Sequence, residues 1–528
     1  MSAKTGHGGP SAAAVPMPYP SHRASLRENL ESIALAVLLV LIVRQLVVEA
    51  FKIPTGSMAP TLLGVHKEVR CVNCGWVFRV GYNKLGVNGE VKCPNCGHLW
   101  PGGGDNLGTA YEPDEIAFRW PAWLWNEART QKTGRRVNGI DAANRVDRWG
   151  SRIFVNKFIY HLRKPRRWEV AVFLYPFADV RCLHCHWSDV AQPAGIHKCP
   201  RCGSNQLAVV RKNYIKRIVG LPGERVTIRN GDVYVNGEIA RKPPAVQKGL
   251  WQHVLDSSYV PRRDVPLLWS FGVRSALWTR DAESGALSVD ALREHTPVWA
   301  RLTPPIRDLC AYNRPPDDGL NTGVFVSGRH DVGDCRLELE CTAERAEDSP
   351  SARLVLRIEE DEHDFVVRLP VGREGQAELL DAGRLLEAQD VPALRVGERA
   401  RVALENYDDF LVLWLNGEAI MRHAYEGSPR PARRAQEVAF GATQAEVTFH
   451  RIRIARDIYY LDMNDSGGDA KVYELDQQSY FVLGDNSAES SDSRFWPSPE
   501  VPAEYLLGSA FAVFWPIHDI ALLSTGSR

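Results

Sequence analysis

The chain has 528 residues, beyond the size at which a single hydrophobic core stops growing, so two or more domains are expected. Lys plus Arg and Asp plus Glu balance at 64 each, which removes any bulk-charge argument for nucleic acid as a partner. An apolar fraction of 44% with 15 Trp excludes a largely disordered chain.

Residues 1–28 are rich in Ala, Pro, Ser and Gly and read as a disordered tail. Residues 29–51 contain an unbroken apolar run from Ile33 to Val43, and their length suits one membrane-crossing helix. Arg44 and Glu49 confine the fully apolar part to its first half. Lys4, Arg23 and Arg27 precede the segment, so the positive-inside rule puts the N-terminus in the cytoplasm and the rest of the chain outside. A cleavable signal peptide ending in Val48-Glu49-Ala50 and a buried core helix are the rival readings.

Residues 52–64 carry Pro54-Thr55-Gly56-Ser57-Met58-Ala59-Pro60-Thr61. Pro54 fixes φ and Gly56 lets the backbone turn, which delivers Ser57 either as an exposed nucleophile or as an ordinary loop serine. Residues 65–148 and 177–210 each contain two Cys-x-x-Cys knuckles: Cys71, Cys74, Cys93 and Cys96 in the first, Cys182, Cys185, Cys199 and Cys202 in the second. The spacing suits two structural four-thiolate zinc ribbons; disulfides or a redox pair are the alternatives, and an oxidising compartment favours paired thiols. Trp120, Trp123 and Trp125 lie between the first ribbon and the segment 149–176, placed either to pack on the rest of the protein or to touch lipid.

In residues 211–244, Tyr214, Lys216 and Ile218 alternate with Ile215, Arg217 and Val219, the period of a strand. Apolar flanks can pull Lys216 out of water and lower its pKa until the amine acts as a base; the ordinary alternative is a lysine snorkelling to solvent. Residues 245–458 show short alternating strands, among them Cys335–Thr342, Ala352–Ile358, Phe365–Pro370, Arg399–Glu405, Phe410–Leu415, Val438–Gly441 and Val447–Ile454, the pattern of an inserted β-sandwich. Asn416-Gly417 is a hairpin turn signal. Cys335 and Cys341 stand too far apart on one strand to bridge each other, while Cys310 can reach either. Because the insertion leaves and rejoins a common frame, its ends must lie close together. Residues 459–528 run an apolar strand into Gly484-Asp485-Asn486 and a hydroxyl-rich loop with Ser490, Asp492, Ser493 and Arg494.

Taken together, four of these stretches resemble type I signal peptidase. The nucleophile box is similar to 54–61 and the lysine box to Tyr214-Ile215-Lys216-Arg217 through Gly223. The closing box is similar to Gly484 through Arg494, and Gly150–Lys157 resembles the strand between nucleophile and lysine. The resemblance implies a mainly β catalytic domain behind one transmembrane helix, with Ser57 as nucleophile and Lys216 as general base. It further implies Ser490 hydrogen-bonded to the lysine amine, and an oxyanion hole from Thr55 Oγ and the Ser57 N–H. Asp485, Asp492, Arg494 and Arg217 map to supporting positions, and no cofactor is needed for catalysis. One departure is Trp168-Glu169, where the family usually has Gly-Asp. The implied activity is removal of signal peptides with small residues at −1 and −3 from exported preproteins at the plasma membrane. The β-sandwich loosely resembles concanavalin-like or laminin-G-like jelly rolls, which implies a docking role or a glycan or protein ligand. Two rival functions stand: a self-cleaving repressor-type Ser–Lys peptidase, and a partner-binding protein built on an inactive frame.

Overall fold

The structure is a computed structural model and describes residues 27–38, 47–81, 91–100, 145–191, 198–262, 268–303, 305–308, 328, 330–427, 437–462 and 470–524. The tail before residue 27, Trp120, Trp123, Trp125 and Cys310 lie outside these residues. The chain divides into Met1–Glu49 and Ala50–Arg528. In the first unit residues 27–38 are helical, with Leu30, Ile33, Leu35, Val37 and Leu38 exposed. Among the described residues no helix is long and apolar enough to cross a membrane, and residues 39–46 of the expected anchor lie outside them. The expected end of the anchor at residue 51 is corrected: Val48–Lys52 is a β-strand.

The second unit is built on an antiparallel sheet. Its strand order is Val48–Lys52, Arg152–Asn156, Leu506–Trp515, Val170–Leu174, Asn213–Gly220, Ser479–Leu483 and Val501–Pro502. Lys216 pairs with Ala171, and Arg217 with both Val170 and Leu483, so the lysine strand sits between two others. The alternation expected for it holds only at its start, for every residue from Lys216 to Gly220 is buried. Ile215 faces a cluster with Met58, Leu62, Ile153 and Val172, while Val219 faces one with Val226, Tyr473 and Phe481. A strand covered on both faces has no solvent side on which to place polar residues. A four-stranded sheet, Glu238–Ile239, Asp232–Val235, Arg225–Arg229 and Val472–Glu474, packs on this frame.

Residues 252–456 form two further antiparallel sheets that share one apolar core. One contains Cys335–Ala346, Arg399–Tyr407, Phe410–Leu415, Glu418–Ala424 and Ala445–Arg456; the other contains Arg353–Glu360, His363–Pro370, Gly375–Asp381, Arg384–Val391 and Val438–Thr443. Cys335 and Cys341 both point into this core as free thiols. Asn416 (φ 51°) and Gly417 (φ 91°) are both left-handed, as a two-residue hairpin turn of this type requires. Gln252 pairs with Arg456, so the insertion enters and leaves side by side.

The first Cys-rich segment is fastened to this two-sheet unit. Asn95 Oδ1 accepts from Asp256 N at 2.7 Å, Asn95 Nδ2 donates to Tyr259 O at 3.1 Å, and Trp76 stacks on Tyr259 with centroids 5.7 Å apart. Arg79 reaches the frame through Asp519 at 2.9 Å.

Candidate active site

Ser57 sits on a loop that closes on itself. Val65 N donates to Pro54 O at 3.3 Å, Ala59 N to Gly56 O at 3.0 Å, and Leu62 N to Met58 O at 2.8 Å. Met58 and Leu62 are fully buried beneath the loop and anchor it to the sheet. A Cβ on Gly64 would collide with the backbone of Thr55 and Gly56, so the loop base closes only around a glycine.

Across the gap, Lys216 Nζ donates to Ser57 Oγ at 2.6 Å. The lysine is 4% exposed and the serine 9%. Burial pushes the Lys216 amine down to about 8; the nearby Asp492 and Asp485 carboxylates oppose the shift and Arg494 assists it. Those acids are already engaged. Arg217 grips Asp485 with two bonds (Nε–Oδ1 2.8 Å, Nη2–Oδ2 2.6 Å), donates to Trp168 O at 2.7 Å and reaches Thr61 Oγ1 at 3.2 Å. Arg494 grips Asp492 in the same way, with both bonds at 2.8 Å, and its remaining N–H groups go to Leu461 O, Ser487 O and Ser487 Oγ, also at 2.8 Å. Asp492 Oδ2 also accepts from Gly484 N at 3.0 Å. With each carboxylate matched to a guanidinium, little net charge is left to keep the lysine protonated.

One expected contact is corrected. Ser490 Oγ is buried without a hydrogen-bond partner among the described residues, so it does not bond the Lys216 amine. It is nevertheless beside the site, because a Cβ on Gly484 would strike both Ser490 and the Ser57 carbonyl. Thr55 is exposed, two residues before Ser57 on the same loop. Asn486 was not singled out by sequence reasoning, although the Gly-Asp-Asn turn contains it. Its backbone N donates to Ser57 O at 3.0 Å and its Nδ2 to Gly56 O at 3.0 Å, fastening the closing loop to the nucleophile loop.

Trp168 has φ 71°, a left-handed conformation that favours glycine, yet its side chain is buried and its carbonyl is used by Arg217. The local backbone is therefore that of a glycine position filled by a tryptophan. Glu169 is completely buried and pairs with Arg163, and it accepts from Arg166 N at 3.1 Å.

The two cysteine quartets also come together. Nearest Sγ pairs are 3.7 Å apart in the first (Cys71–Cys96, Cys74–Cys93) and 3.6 Å in the second (Cys182–Cys202, Cys185–Cys199). Disulfide sulfurs lie at about 2.0 Å. A tetrahedral zinc with bonds of about 2.3 Å needs sulfurs about 3.8 Å apart, so the quartets fit that ion. The residue after the second Cys of each knuckle is left-handed: Gly75, Gly97, Gly203 and, where glycine is missing, His186 at φ 56°. Both clusters can hold a metal.

A family model described as signal peptidase, peptidase S26, matches residues 134–255 and 413–515, which include Lys216 and the closing loop. A probable signal peptidase I-2 of Synechocystis sp. is 30% identical over 103 residues, covering 19% of this chain and 35% of that protein. Over these stretches the chain is similar to type I signal peptidases. A signal peptidase I of Pseudomonas fluorescens is 29% identical over 128 residues, covering 22% of this chain and 41% of the relative. The chain thus spans well under half the length of the curated signal peptidases it matches. Among solved structures, the laminarinase from Rhodothermus marinus aligns with 39% of this chain and 98% of its own at 12% identity and TM-score 0.26. The kappa-carrageenase from Pseudoalteromonas carrageenovora aligns with 42% of this chain and all of its own at 9% identity and TM-score 0.25. At TM-scores this low neither carries over to this chain.

Proposed function

We propose that this protein is a membrane-bound serine endopeptidase that removes N-terminal signal peptides from exported preproteins. The observation that carries the reading is the 2.6 Å contact between Lys216 Nζ and Ser57 Oγ in a buried site where the amine is pushed down to about 8. A neutral Lys216 takes the Ser57 proton as Oγ attacks the scissile carbonyl. The amine then protonates the leaving nitrogen, and water hydrolyses the acyl-enzyme with the same amine as base. Thr55 Oγ and the Ser57 N–H are the oxyanion donors in this reading, each worth roughly 3–4 kcal/mol by analogy with other serine peptidases. The preferred substrate has small residues at −1 and −3. The N-terminal segment anchors the protein in the plasma membrane with its tail in the cytoplasm, which leaves the dyad at the outer face. Each cysteine quartet holds a structural zinc, and the two-sheet unit is a jelly-roll docking module for a protein or glycan ligand.

The test is cleavage of a preprotein ending its signal in Ala-x-Ala by wild type, Ser57→Ala and Lys216→Ala in detergent or liposomes. Cleavage at that site by wild type, lost in both variants, is the expected result. A folded, zinc-loaded wild type that cuts nothing would sink the reading in favour of a partner-binding protein on an inactive frame.

A further inference from the structure

Where the four-stranded sheet of the frame meets the two-sheet unit, three buried carboxylates converge. Asp232 opens the Asp232–Val235 strand of the frame, Asp334 immediately precedes Cys335–Ala346, and Asp408 lies in the turn between Arg399–Tyr407 and Phe410–Leu415. Their exposures are 8%, 7% and 1%, and one oxygen of each lies within 4.8 Å of the other two. Two more acids stand beside them. Lys242 Nζ pairs with Asp408 and lies 2.9 Å from Asp457 Oδ2, while Glu360 packs on Gly333 and accepts from Asn406 and Tyr425.

The charges do not balance. Lys242 supplies one positive charge against Asp232, Asp334, Asp408 and Asp457. Arg241, the next residue, points its guanidinium at the carbonyls of Asp408, Asp409 and Tyr425 (3.0, 3.2 and 3.3 Å). Buried carboxylates in mutual reach repel one another and stay ionised only with a counter-charge inside the same low-dielectric space. A second, independent observation is a missing partner. Asp334 Oδ2 accepts from Asp408 N at 3.1 Å, but no N–H group among the described residues reaches its buried Oδ1, and the neighbour its side chain meets is another carboxyl, that of Glu360. An orphaned buried acceptor bears its full desolvation penalty unless something electropositive reaches it.

The donor set says what that something is. All three groups are hard oxygens, which disfavours zinc and other ions that prefer nitrogen or sulfur. Oxygens that all lie within 4.8 Å of one another can share one ion, and a buried cage of protein carboxylates suits calcium, which coordinates flexibly, better than magnesium, which keeps several of its waters. We propose that Asp232, Asp334 and Asp408 bind a hard divalent cation of calcium's size, which seats the inserted two-sheet unit on the catalytic frame. The seam is close to the dyad's scaffold. Lys242 Nζ lies 5.4 Å from the centre of the Trp168 ring, and the Trp168 carbonyl holds Arg217, the partner of Asp485. A cation here stiffens the support of the closing loop without touching substrate.

The full chain, purified in detergent, is dialysed free of calcium and then equilibrated with radioactive calcium, with zinc content measured in parallel. One saturable calcium per chain is expected, and Asp334→Asn should weaken its binding at least tenfold while leaving zinc unchanged. At a calcium concentration a hundredfold above the dissociation constant, the unfolding equilibrium moves about a hundredfold toward the folded state. If Asp334→Asn does not fold, terbium luminescence on the wild type replaces it, with displacement by calcium and not by magnesium expected. Wild type that takes up no calcium at millimolar concentration, or an Asp334→Asn variant that binds as wild type does, overturns the proposal. So does a melting temperature that rises on acidification and ignores calcium, because protons would then be neutralising the acids.

Discussion

Titrating the candidate base is the most informative perturbation, because its burial fixes both where activity appears and what the group costs the fold. With the Lys216 amine at about 8, roughly a tenth of the protein carries a neutral base at pH 7 and about a hundredth at pH 6. The rate constant kcat/KM for preprotein cleavage should therefore rise about tenfold per pH unit below 8 and level off above it. The stability effect has the opposite origin. The folded-state value lies below the ordinary 10.5, so between pH 8 and 10.5 the unfolded chain binds more protons than the folded one. Stability contributed by this group is thus lowest below pH 8 and rises through that window by about 3 kcal/mol. Lys216→Met should abolish cleavage, raise the melting temperature at pH 7 and flatten its rise between pH 8 and 10. The assay is a paired set of cleavage rates and thermal scans from pH 6 to 10 on wild type and variant. An acidic limb centred near 10, or a variant whose melting temperature still climbs as the wild type's does, would refute the assignment of the low pKa to Lys216.

Arg217→Ala would leave Asp485 buried without its counter-charge, at a cost of about 3–5 kcal/mol, seen as a lower denaturation midpoint together with lost cleavage. Ser490→Ala removes a hydroxyl that makes no hydrogen bond, so it forfeits none of the roughly 1 kcal/mol such a bond is worth, and kcat/KM should change less than threefold. Trp168→Gly sets two effects against each other: about 1–2 kcal/mol of backbone strain is relieved, while about 3–5 kcal/mol of packing is lost. Net destabilisation of about 2 kcal/mol in urea titration is expected, and a more stable variant would mean that the strain dominates. Cys93→Ser should lower zinc content from two ions per chain to one and expose the 71–100 segment to limited proteolysis; unchanged zinc would count against the first site.

The site was largely legible because its chemistry is concentrated in short contiguous stretches. The turn at 54–61, the lysine strand and the Gly-Asp-Asn loop each announce themselves through Pro, Gly and polar residues in fixed order. The geometric relation between them did not follow. Ser490 was expected on the lysine amine, yet its buried hydroxyl makes no hydrogen bond among the described residues, and no local pattern encodes so fine a placement. Among the strands, Phe410–Leu415 matches its expected bounds, and the hairpin turn at Asn416-Gly417 takes its expected conformation, because two left-handed residues admit few other structures. Gly375–Asp381 and Arg384–Val391 went unread: the second is mostly exposed, and its apolar residues Leu385, Leu386, Ala388 and Val391 do not alternate with polar ones. The long-range pairing of Asn95 with Asp256 and the convergence of Asp232 with Asp334 and Asp408 were also beyond reach. Each partner looks like an ordinary polar surface residue until the fold buries it.

The frame's sheet is threaded through almost the entire length of the chain, since its neighbours come from residues near 50, 155, 172, 217, 481 and 510. Arg217 and Asp485 are 268 positions apart, whereas the two-sheet unit is drawn from one continuous stretch. On a ribosome the inserted unit has all its strands before the frame does, and a domain with its whole sequence available can fold as a unit. The closing loop emerges only after the whole inserted unit, and only then can Lys216 and Ser57 be locked in place. Assembly order alone therefore keeps Lys216 and Ser57 from being clamped together until the chain has been made past Arg494.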